Sequence, residues 1–98
     1  MDRATLQVAA RSSPDEGLIL SVGGYLDEIG ALSLAHETRS APVDGPRHVR
    51  IDLGKVCLFN CSGARQLLIL VDDLERLGYE VELVGVHPPL QRILDLSA

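Results

Sequence analysis

Residues 57–65 read Cys-Leu-Phe-Asn-Cys-Ser-Gly-Ala-Arg, and they hold most of the side chains here that could do chemistry. Ser62 follows a thiol and precedes a glycine, where an apolar run gives way to a helical pattern. A nucleophilic serine needs a base within hydrogen-bond reach, an orienting acid and an oxyanion hole. Asn60-Cys61-Ser62-Gly63 is not the G-x-S-x-G elbow, and His36, His48 and His87 stand in no triad context. Cys57 and Cys61 are spaced C-x3-C, not C-x2-C, so a zinc site needs two of the scattered histidines to converge on them. Otherwise they read as one buried and one half-exposed thiol in a reducing compartment. A regulatory Cys57–Cys61 disulfide requires Cα atoms within ~7 Å.

Two further readings of Ser62 stay open. Asn60 or Ser62 can cap a following helix by accepting a backbone N–H, although no Glu or Gln stands three residues on to complete a capping box. If Asn60 caps, Ser62 lies in the first turn with its hydroxyl free. Ser62 can instead be a phosphoacceptor. A helix N-terminus offers unpaired N–H groups and a positive dipole end, which stabilise a phosphate. Gly63 leaves the approach open, and helical spacing brings in Arg65, three residues on, as a donor to that phosphate.

The elements that must position this corner follow from periodicity. Leu6 and Val8 alternate with polar residues, Ser12–Gly17 is dense in turn formers, and Leu18, Leu20 and Val22 alternate again, which makes a hairpin. Gly23-Gly24 reads as the end of the second strand. Glu28–Ser40 is helical, with Ile29, Leu32 and Ala35 as its apolar stripe, and Ala41–Pro46 breaks it. Val49, Ile51 and Leu53 form a third strand, and Gly54–Cys61 reads as a connection. Gly63–Leu77 is the strongest helix, with Ala64, Leu67, Leu68, Val71 and Leu74 in one stripe and Gly78 beyond its end. Its run Leu67–Val71 is apolar all round, so either the helix is deeply buried or Ile69 or Leu70 belongs to a docking patch. Tyr79–Val86 is a fourth strand, and Pro88-Pro89 opens a last helix with Leu90, Ile93 and Leu94 inward. No internal repeat stands out.

The order β-β-α-β-α-β-α predicts an α/β fold, a mixed four-stranded sheet with three helices that cover one face well and the other poorly. Ninety-eight residues, 46% of them apolar, make a single domain over 1–98. Nine basic and fourteen acidic residues give a net charge of −5, and with one Phe, two Tyr and no Trp there is neither a basic footprint nor a stacking platform for direct nucleic-acid binding. No apolar run approaches the ~20 residues of a membrane span, and the N-terminus lacks a signal-peptide core, so a cytoplasmic location without membrane insertion is expected. Nothing calls for a cofactor or a metal.

The segment VRIDLGKVCLFNCSGARQLL, residues 49–68, resembles the core of STAS domains, the family of bacterial anti-sigma factor antagonists. Gly24-Tyr25-Leu26-Asp27 is similar to the family's G-x-L-D, and the resemblance runs over residues 4–97. It implies a STAS-like fold without catalytic activity. Ser62 matches the serine that the cognate anti-sigma kinase phosphorylates, Gly63 the glycine after it, and Asp27 a loop acid close by. Asn60 stands where the family has aspartate, and Cys61 where it has a first serine. The resemblance implies a protein that binds an anti-sigma factor/serine kinase when unmodified and is released on phosphorylation, regulating transcription indirectly. Many antagonists continue past the equivalent of Leu96-Ser97. The alternative is a small non-catalytic STAS subunit of a lipid-transporting ABC complex, docked on its ATPase subunit.

Overall fold

The computed structural model describes residues 5–41 and 46–97. Its elements are β1 (Leu6–Ser13), β2 (Gly17–Leu26), α1 (Glu28–Ser40), β3 (His48–Phe59), α2 (Cys61–Arg76), β4 (Glu80–Val84) and α3 (Pro88–Ser97). The strands lie in chain order in one sheet: β1 antiparallel to β2, and β2, β3 and β4 mutually parallel. Most of the break expected over Ala41–Pro46 falls at 42–45, outside the described residues.

One sheet face is apolar and covered. Leu18, Leu20, Val22 and Leu26 of β2 and Val49, Ile51, Leu53 and Val56 of β3 are buried against Ala31 and Leu34 of α1, Ala64, Leu67, Leu70 and Leu74 of α2, and Leu90 and Leu94 of α3. The alternate residues face the other way and are mostly polar, Ile19 excepted, as at Arg50, whose guanidinium reaches Glu82 across the β3–β4 ladder at 3.2 Å.

Both central strands run further than their sequence pattern suggests. Gly23-Gly24 does not end β2. Register shifts fall on either side of the pair, and Gly24 takes a positive φ of 94° that a side chain would strain. On β3, Gly54–Phe59 is strand and not connection. The buried positions run 49, 51, 53 and then 56, so the period of two slips and the alternation that marks a strand is lost.

Helix α1 buries a different stripe from the expected one. Ile29 and Leu32 are 77% and 54% exposed, while Gly30, Ala31, Leu34, Ala35 and Thr38 face inward. Small residues let α1 lie close on its neighbours, and the buried Thr38 hydroxyl is satisfied by donating to the Leu34 carbonyl at 2.7 Å. The stripe expected on α2 is buried or half-buried, but of the two docking candidates only Ile69 reaches the surface; Leu70 is 2% exposed.

The two faces of α1 should therefore respond differently in urea unfolding. Leu34→Ala is expected to cost about 3 kcal/mol and Leu32→Ala within about 0.5 kcal/mol. Equal losses would mean that the helix is rotated from this placement.

Candidate functional site

Parallel strands β2 and β3 end side by side, Leu26 beside Phe59, and each passes through one capping residue into a helix. Asp27 caps α1, its Oδ1 accepting the Gly30 N–H at 2.7 Å. Asn60 caps α2, its Oδ1 accepting the Gly63 N–H at 2.8 Å. The two corners repeat one pattern, Asp27-x-x-Gly30-Ala31-x-x-Leu34 and Asn60-x-x-Gly63-Ala64-x-x-Leu67, with the Gly, Ala and Leu buried in both. This short echo is the repeat that the sequence reading missed, being only eight residues long and degenerate at its cap.

Asn60 uses both ends of its amide: Nδ2 donates to the Tyr25 hydroxyl at 3.2 Å, while its backbone N–H donates to the Leu26 carbonyl at 3.1 Å. Tyr25 went unnoticed in the sequence because nothing there pairs it with a residue thirty-five positions away. Gly63 fixes how closely the corners abut. A Cβ on it would run into the Leu26 carbonyl oxygen and stand 2.9 Å from the Asp27 Cα. The first turn of α2 thus rests on the β2–α1 junction, which brings Asp27, Asn60 and Gly63 together.

Ser62 lies in that first turn, exposed, and its hydroxyl makes no hydrogen bond among the described residues. Asn60, and not Ser62, is the cap. Arg65 is exposed three residues on and enters none of the ion pairs among the described residues. The first turn of α2 carries no acid, whereas α1 has Asp27 and Glu28 at its start. No acid of its own first turn offsets the positive end of the α2 dipole, and the Asp27 carboxylate, brought near by the Gly63 contact, is engaged in capping α1.

Both cysteines are exposed and free, so neither is the buried thiol that was expected. Cys57 to Phe59 are strand and Asn60 is extended at φ −132°, ψ 173°, which at ~3.3 Å per residue carries the two Cα atoms more than about 10 Å apart. A Cys57–Cys61 disulfide would need the chain to leave this path. No group of three metal-ligating side chains occurs among the described residues.

Exposed apolar side chains lie on the elements that meet at the corner, on both faces of the sheet: Leu58 pairs with Tyr25 and faces away from the helices, opposite to Leu26 and Phe59. Leu58 is 54% exposed just before the cap, and Ile29 occupies the position in α1 that Ser62 occupies in α2. From there a crease of about 50 Å³ runs between α1 and α2, with Leu32 and Ile69 on its walls, toward the Arg39–Asp73 ion pair at 3.5 Å. That is far below the ~300 Å³ of a small-molecule pocket. A larger cleft, about 390 Å³, is lined by Ser21, Gly23, Asp52 and Lys55, and none of the residues of the Ser62 corner lines it.

A mixed sheet covered on one face, with a free serine at the strand-to-helix corner of its second crossover, defines a known class of domain. The chain belongs to the STAS domain family, whose model matches residues 7–98. Among solved structures it is similar to an antisigma-factor antagonist STAS domain from Rhodobacter sphaeroides, at 23% identity and TM-score 0.66 over 83% of this chain and 87% of that one. It is also similar to the anti-sigma factor antagonist SpoIIAA in its unphosphorylated form, at 14% identity and TM-score 0.72 over 93% of this chain and 80% of that one. SLC26A9 shares the fold at 13% identity and TM-score 0.61, over 94% of this chain but 20% of its own length. No curated protein matches the chain by sequence. At these identities the structural likenesses establish the fold. No described helix is long and apolar enough to cross a membrane.

The corner's bonds carry measurable weight. Asn60→Ala removes the cap and the Tyr25 bond and is expected to cost about 1–2 kcal/mol in chemical denaturation. Asn60→Asp keeps the cap and is expected to be neutral or stabilising. Gly63→Ala is expected to cost about 2 kcal/mol or more and lower Tm by roughly 10 °C. A Gly63→Ala protein as stable as the parent would show that α2 does not rest on the Leu26 carbonyl.

Proposed function

We propose that this chain is an anti-sigma factor antagonist: a non-catalytic domain that binds an anti-sigma factor/serine kinase and is released when Ser62 is phosphorylated. The observation that carries the reading is the Ser62 hydroxyl, exposed and without a hydrogen bond among the described residues, in a helical turn that Asn60 has already capped. In the modification, the Ser62 oxygen bonds to the γ-phosphorus of ATP, the bond to ADP breaks, and the hydroxyl proton leaves to solvent. The product adds about −1.5 to −2 charges at the N-terminus of α2, which has no acid in its own first turn, three residues from Arg65, so the fold tolerates it. A neighbour packed over Ile29, Leu32 and Ile69 and onto the first turn of α2 would have to desolvate that charge, and docking fails. Asn60 and Asp27 shape the site through their caps, Gly63 through its close approach, and Cys61 as the residue that opens α2. Asn60 in place of the family's aspartate leaves one fewer negative charge to oppose the phosphate.

The two likenesses to antagonists support this reading over the alternative, a STAS subunit docked on the ATPase of an ABC complex. The readings part on one experiment. Binding of purified Ser62→Asp and Ser62→Ala proteins to the host's anti-sigma factor is measured by calorimetry, beside kinase labelling with ATP. The antagonist reading expects one phosphoryl group on the parent and none on Ser62→Ala, full binding by Ser62→Ala, and at least a tenfold loss for Ser62→Asp, about 1.4 kcal/mol. Arg65→Ala is expected to leave binding of the unmodified protein intact. Unchanged affinity of Ser62→Asp overturns the switch, and a stable complex with a transporter ATPase, indifferent to that substitution, favours the alternative.

A further inference from the structure

We propose that two copies of this chain pair through the outer edge of β1, joining their sheets antiparallel about an axis at Ala9. β1 is the outermost strand, and among the described residues nothing pairs with its far side. Thr5 accepts the Tyr25 N–H at 3.2 Å, which fixes the phase of the ladder. In an antiparallel pair hydrogen-bonded residues alternate, so odd-numbered residues of β1 bond to β2. Leu6, Val8, Ala10 and Ser12 therefore point their backbone N–H and C=O groups away from the sheet.

Open strand edges are ordinarily blunted by charge, proline, a bulge or shortness. β1 has none of these devices at its outward positions. It is eight residues long, in unbroken register with β2, and Arg11 is its one charged side chain. The opposite edge is unlike it: β4 is five residues long and carries Glu80 and Glu82.

A second copy fits because the edge is complementary to itself. Antiparallel pairing about Ala9 sets Val8 opposite Ala10 and Leu6 opposite Ser12 of the second copy. Each of these four opposed pairs joins two outward-pointing residues, which can exchange two hydrogen bonds. The same register keeps every helix-face side chain on the helix face, where the half-buried Leu6 and Val8 gain cover. On the open face Ala9 meets Ala9 in a non-hydrogen-bonded pair, the closest approach of the ladder at ~4.5 Å, which methyl groups fit. Arg11 falls opposite Gln7 and away from the other Arg11.

Sedimentation velocity from about 10 μM to about 1 mM tests the association, with register read by cross-linking in a Cys57→Ser/Cys61→Ser background. The parent is expected to pass from monomer to dimer across that range. Ala9→Cys should oxidise to a covalent dimer, and Gln7→Cys should cross-link at least tenfold more slowly. Ala10→Pro removes an N–H that bonds nothing within the chain and should leave a folded monomer. Should that variant fail to fold, hydrogen exchange of the parent decides: amides of Leu6, Val8, Ala10 and Ser12 should slow at least tenfold at the upper concentration. A parent that stays monomeric throughout, a folded Ala10→Pro dimer, equal cross-linking at positions 7 and 9, or unchanged exchange each overturns the proposal.

Discussion

The missing side chain at Gly63 lets the first turn of α2 sit directly on the last carbonyl of β2, and the candidate site is arranged around that contact. With Leu26 and Asp27 against Gly63, the starts of α1 and α2 abut at the carboxyl ends of two parallel strands. Any Cβ there would push α2 outward and lengthen the bond from the Asn60 N–H to Leu26. The two caps, each closing on a buried glycine three residues later, then fix both helix starts without help from Ser62. The serine is left with nothing structural to do, and for that reason a change in its chemistry need not disturb the fold.

Charge distinguishes the two corners. α1 begins with Asp27 and Glu28, which already offset its dipole; α2 begins with a neutral amide and no acid in its first turn. A dianion is better placed at the second than at the first. The surroundings work in the opposite sense for a partner on the helix side, since Ile29, Leu32 and Ile69 offer exposed apolar contact and a phosphate on the same side must be desolvated by whatever covers them. In the proposed switch, tolerance by the fold comes from the start of α2 and intolerance by a docked surface from the exposed apolar residues near it.

The element order and the mixed sheet were legible in the sequence because period-two and helical patterns rarely conflict along this chain. Where the reading failed, a local irregularity had masked the pattern. The bulges around Gly23-Gly24 and the phase slip between Leu53 and Val56 made continuous strands look finished. On α1, size misled: Ile29 and Leu32 drew the stripe, while the inner face is Leu34 flanked by glycine, alanines and threonine. At the site, the serine, its glycine and the asparagine could be picked out from local spacing. The bond from Asn60 to Tyr25 and the contact of Gly63 with Leu26 span more than thirty residues, and only the folded chain brings those partners together.

Amide exchange and backbone chemical shifts of the protein before and after Ser62 phosphorylation bear most directly on the central claim. If the corner is built to accept the modification, the Gly63 and Ala64 amides keep their protection, and shifts are confined to the first turns of α1 and α2. Loss of protection through the first turn of α2, with a matching fall in Tm, would mean that the phosphate acts by unfolding the helix and not by guarding its surface.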